Sequence, residues 1–108
     1  MTAKPVIPRA NAREDVDLAV EHYATEAGAD VAFGFIDALE QAFTFIGERP
    51  SAGSPRWSQE LNLPGLRTIS LKGYPLLVFY LEFEDHVDVW RVLHSKRDMP
   101  AWLSDVDD

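Results

Sequence analysis

The sequence predicts an α+β domain in which an N-terminal two-helix hairpin packs on a small twisted antiparallel sheet. That sheet is a three-strand meander with at most a short N-terminal edge strand. Three observations carry the prediction. Helical-period apolar patterns occupy residues 12–48, strand patterns follow between residues 66 and 94, and links of hairpin length join the strands. The chain has 108 residues, so a single domain over residues 1–108 is expected. Such a domain buries roughly 65% of the surface its unfolded chain would expose and needs no covalent staple.

The elements follow in order. Residues 4–9, KPVIPR, form an edge strand at best, because Pro5 and Pro8 each lack a ladder donor. Asn11 followed by Glu14 has the form of a capping box and opens a helix to about Ala27. Its apolar arc holds Ala12, Val16, Ala19, Val20, Tyr23, Ala24 and Ala27, and Leu18 alone falls on the acidic side. Gly28 breaks this helix, and a second runs from about Ala29 or Asp30 to about Glu48, with Phe33 as its one apolar residue off the arc. Two amphipathic helices joined by a short glycine turn make an antiparallel hairpin.

Residues 50–65 are rich in turn formers and predict a loop. LRTISL (66–71) alternates, LLVFYLEF (76–83) is almost continuously apolar, and VDVWRVLH (87–94) alternates again. The middle strand of this meander should be buried on both faces. A short helical turn around Met99–Leu103 and an acidic tail complete the chain.

The totals exclude several function classes. There is no cysteine, and His22, His86 and His94 have no metal-ligand spacing, so neither a disulfide framework nor a zinc site is expected. The start of the sequence lacks a signal-like apolar core and the longest apolar run, Pro75–Leu81, is too short to cross a bilayer, so a cytoplasmic protein is expected. A net charge of −8 argues against unspecific nucleic-acid binding. Residues 51–97 nevertheless hold six bases and five acids between acidic flanks, which favours a local anion site or a basic partner. Phosphate-loop, nucleophile-elbow and zinc-protease patterns do not occur.

Alternation puts Arg67 on a face with Ile69 and Leu71, and Arg91 on a face with Val87, Val89 and Leu93. A guanidinium on an apolar face needs a carboxylate, a set of carbonyls or a bound anion. Asp15 and Glu82 are the candidate internal partners, and a packed stem with its head in water is the alternative. His94 falls opposite Arg91, beside Trp90 and Val92, so the two meet only if the strand ends or bulges between them. Arg67, Arg91, His94 and Arg97 are the candidate set for nuclease chemistry, with the arginines stabilising charge and His94 as acid or base. Leu18 and Phe33 form a partner-facing patch if the hairpin brings them together, while Trp57 and Trp102 are core lids or interface anchors.

In this order of elements the chain resembles the ParE/RelE superfamily of bacterial toxins, and its ParE branch most. The resemblance spans nearly the whole chain. It rests on A-x-x-D-V-x-x-A-V-x-x-Y (Ala12–Tyr23), E-R-P-S-A-G (Glu48–Gly53), L-P-G-L-R-T-I (Leu63–Ile69), Y-P-L-L-V-F-Y (Tyr74–Tyr80) and R-V-L-H-S-K-R-D (Arg91–Asp98). It implies the toxin of a type II toxin–antitoxin module, neutralised by a cognate ParD-like antitoxin whose C-terminal segment folds as it binds. No cofactor or metal is implied.

The resemblance implies two modes of toxicity: binding of DNA gyrase in the ParE branch, and ribosome-dependent mRNA cleavage in the RelE branch. Arg67 and Arg91 stand where the RelE branch carries strand arginines, but the lysine cluster expected before them is missing. Met99, Pro100, Ala101 and Trp102 follow Asp98 where a tyrosine is expected. The expectation is therefore a non-enzymatic gyrase inhibitor; the alternatives are a ribonuclease and a degenerate toxin that only binds antitoxin. Leu18, Phe33, Trp57, His94, Lys96, Arg97 and Trp102 are the expected antitoxin or target contacts.

Overall fold

The computed structural model describes residues 3–95. The chain runs β1 (Val6–Pro8), α1 (Ala10–Ala27), α2 (Ala29–Glu48), a 3₁₀ turn (Pro50–Ala52), α3 (Arg56–Glu60), β2 (Arg67–Ser70), β3 (Leu76–Glu82) and β4 (Val87–His94). The four strands form one sheet in the order β1-β4-β3-β2. β2, β3 and β4 are the antiparallel meander that the sequence predicts. β1 adds to the outer edge of β4 in parallel, which makes the sheet mixed. Its prolines do no harm there, because the joint uses Pro5 as acceptor from the Val87 amide at 2.9 Å and Val89 as acceptor from the Arg9 amide at 2.9 Å.

The helix hairpin turns on one residue. Gly28 ends α1 and starts α2 with φ 98° and ψ 166°, a region that only glycine enters at low cost. The predicted capping box does not form. α1 starts at Ala10, with Arg9 as N-cap and no side-chain cap bond. The first helical bond, from the Arg13 amide to the Arg9 carbonyl at 3.0 Å, places Asn11 inside the first turn, where its side chain cannot act as N-cap.

Both faces of the sheet are covered. On one face Phe35, Leu39, Ala42 and Ile46 of α2 and Ala12 of α1 pack against Leu76, Val78, Tyr80, Val87, Val89 and Val92. On the other, Leu61 and Leu66 are buried with Phe79 and Leu93, and Trp57, Leu63, Leu77, Leu81 and Trp90 pack around them. The segment read from sequence as a loop therefore contains a short helix. Trp57 and Leu61, one helical turn apart, supply its apolar side. β3 is buried on both faces, as its continuous apolar sequence predicts.

The alternation of β4 is broken. Phe79 pairs with Arg91 and Tyr80 with Val89, so Trp90 is an extra residue, a β-bulge. Before the bulge, Val87 and Val89 face the helices; after it, Val92 does, and Leu93 faces the α3 side. Arg91 therefore shares a face with Leu93 but not with Val87 and Val89, and Trp90 and Val92 lie on different faces. Among the described residues, no helix is long and apolar enough to cross a membrane. Lys96, Arg97, Trp102 and the turn expected at Met99–Leu103 lie outside the described residues.

Candidate partner-binding surface

Arg67 lies opposite Tyr80 in the β2–β3 ladder, on the helix face. Its Nη1 donates to the Gly53 carbonyl at 2.8 Å. The Tyr80 hydroxyl accepts from the Gly53 amide at 3.0 Å and donates to the Pro50 carbonyl at 2.7 Å. Burial pushes the Tyr80 phenol above its ordinary pKa, more than the Gly53 amide and the Arg67 charge pull it down. Arg67 and Tyr80 together fasten the chain that leaves α2, and a side chain at Gly53 would collide with the Tyr80 hydroxyl.

Arg91 is held by Asp15 of α1. Nε and Nη2 meet the two carboxylate oxygens at 2.8 and 2.9 Å, and the Val92 amide donates to the same carboxylate at 3.0 Å. The cause is the shortness of β1, which pairs only with Val87–Val89 and leaves the rest of the β4 edge without a strand partner. Asp15 takes up one of those amides and, through Arg91, ties α1 to the sheet. Of the two carboxylates that the sequence offers, Asp15 serves Arg91 and Glu82 serves Lys4, at 2.7 Å.

His94 pairs with Leu76 on the helix face and lines a cleft of 250 Å³ with Ala19, His22, Tyr23, Pro75 and Leu76. Its position relative to Arg67 follows from the register. Their partners Leu76 and Tyr80 are four residues apart on β3, about 13 Å at the rise of a strand. Arg91, opposite Phe79, belongs to the other face. The bulge that would have let Arg91 and His94 meet lies before both of them, and they remain on opposite faces.

The exposed apolar residues lie on the helices and the sheet ends. Leu18 is 58% exposed and Phe33 65%. Leu18 stands ten residues before the Gly28 turn and Phe33 five after it, an offset of about 8 Å along an antiparallel hairpin. Phe45 is also exposed and lines a groove with Asp37, Glu40, Gln41, Thr44 and Glu48 on the outer face of α2. Trp57 is half-buried in the second apolar cluster, with the Arg56 guanidinium 4.8 Å from its ring centroid.

Residues 6–99 match the model of the ParE toxin of type II toxin–antitoxin systems, parDE. The chain belongs to the ParE toxin family. A solved chain of the "Chromosomal ParDE TA system from P. aeruginosa" has the same fold, with a TM-score of 0.73 and 18% identity over 87% of this chain and 98% of that one. No curated protein matches the sequence.

Seen as a ParE-family chain, the molecule separates the residues that the sequence groups together. Arg67, Arg91 and His94 stand at three places, and of the expected contacts Leu18 and Phe33 are exposed while Trp57 is half-buried against the second apolar cluster. Sequence reasoning missed the acidic groove of α2, because Phe45 falls on the apolar arc of the helix and its neighbours are ordinary solvated charges. It also missed the charged cluster at the β3–β4 turn, where Lys4 and Arg9 come from the other end of the chain.

Proposed function

We propose that this ParE-family toxin is held by a ParD-like antitoxin and inhibits DNA gyrase by binding it. One observation carries the choice of binding over cleavage. The two strand arginines are engaged by the fold itself, Arg91 with Asp15 at the β4 edge and Arg67 with the Gly53 carbonyl, and their strand positions lie on opposite faces of the sheet. A charge-stabilising pair for cleavage would need both guanidinium groups turned toward one substrate. The exposed Leu18 and Phe33 support docking of an apolar, folding-upon-binding antitoxin segment over the helix hairpin. The same proposal includes His94 at the C-terminal end of β4 and, as residues that follow it in sequence, Lys96, Arg97 and Trp102, with Trp57 in a lesser role.

The test is supercoiling by purified gyrase at rising toxin excess. Inhibition, relieved by the product of a small antitoxin gene adjoining this one, is the expected result. Unaffected supercoiling at high excess overturns the gyrase assignment.

A further inference from the structure

The turn between β3 and β4 carries a histidine set between two carboxylates. His86 Nδ1 lies 2.6 Å from Asp85 Oδ1, and Nε2 lies 3.1 Å from Asp88 Oδ1. Ionised carboxylates only accept, and a neutral imidazole has one N–H, so both contacts exist together only when the ring is the imidazolium. The ring also stacks on Phe83 at 5.0 Å, and the Phe83 amide donates to the His86 carbonyl at 2.8 Å, which closes the turn.

The two carboxylates differ in freedom. Asp88 is 14% exposed, and its other oxygen accepts from Arg9 Nε and Nη2 at 3.0 and 2.8 Å. Asp85 is 87% exposed and can turn to water at little cost. The other charged groups here are Glu82 on β3, Glu84 in the turn, and Lys4, whose ammonium reaches Glu82 Oε2 at 2.7 Å and the Phe83 carbonyl at 2.8 Å. Both nearby cations are thus occupied by Glu82 and Asp88 and leave the ring to its two acids.

We propose that His86 is a proton-operated clasp on the β3–β4 turn: the imidazolium bridges Asp85 and Asp88, and loss of its proton releases Asp85 while the Asp88 contact is kept. The turn then loosens around Phe83, next to the point where Lys4 fastens the N-terminal strand. The hydrogen bond to Asp85, helped by both acidic charges, holds the ring above the ordinary histidine pKa, and the same bond holds Asp85 below the carboxylate range. Because the folded pKa of His86 is raised, its contribution is complete below the ordinary value of about 6.5 and is lost as pH rises through the folded value.

The experiment is an NMR titration of the full chain that follows the ring nitrogens of His86 and the hydrogen-exchange protection of the Phe83 amide. His86 should titrate above the ordinary value, Asp85→Asn should lower that pKa, and Phe83 protection should fall several-fold across the titration. In His86→Gln, whose fold is checked by the same spectra, the step in protection should vanish. A ring that titrates at the ordinary value, ignores Asp85→Asn, or leaves Phe83 protection unchanged overturns the proposal.

Discussion

Asp15 and Arg91 form a two-pronged ion pair, at 2.8 and 2.9 Å, that joins the first helix to the last strand across most of the chain length. The carboxylate also accepts the Val92 amide, so one side chain satisfies three donors. Asp15→Ala would leave a guanidinium and a strand amide without their acceptor. The Asp15 side chain is 11% exposed and that of Arg91 26%, so part of the penalty is relieved by water. A loss of about 3 kcal/mol is expected in urea unfolding. A loss within about 0.5 kcal/mol, the range of ordinary surface changes, would remove Arg91 from the scaffold.

Tyr80→Phe keeps the ring and removes the hydroxyl that joins Gly53 to Pro50. The buried Gly53 amide then has no acceptor, at a cost of about 1–3 kcal/mol. Equilibrium unfolding measures it, and amide exchange at Gly53 should accelerate more than the global change explains. Equal acceleration throughout the chain would contradict the local role.

How much of this was readable beforehand depends on whether the signal is local. The helix hairpin and meander follow from periodicity and turn residues, and Asp15 could be named, together with Glu82, because an arginine on an apolar strand face demands an acid; only the fold decides between the two. The bulge at Trp90 could not be read, since it exists only in the pairing of β4 with β3. It reversed the faces assigned to half of β4. α3 was hidden because a five-residue helix inside turn formers has too little periodicity, and its helicity depends on the apolar sheet face beneath it. The capping box failed because the chain leaves β1 at Pro8 and enters the helix at Ala10, with Arg9 drawn to Asp88 and to the Trp90 ring, 4.7 Å from its centroid.

Gly28→Ala puts a Cβ on a backbone at φ 98° and ψ 166°. No atom lies close enough to clash, so the cost is purely conformational, about 1–3 kcal/mol. Thermal unfolding checks it. No change would mean that the hairpin can turn through another conformation.

Phe33→Asp tests the docking surface without touching the core, because Phe33 is 65% exposed. Stability should stay within about 0.5 kcal/mol. Antitoxin affinity by calorimetry should fall at least tenfold, about 1.4 kcal/mol. An unchanged dissociation constant would move the antitoxin away from α2.

Primer extension on actively translated mRNA, after induction of the toxin without antitoxin, tests most directly whether it acts by binding. No new 5′ ends are expected, from the wild type or from Arg91→Ala. Codon-spaced cleavage by the wild type, lost in an Arg91→Ala protein that is still folded, would contradict the account and make the strand arginine part of a nuclease.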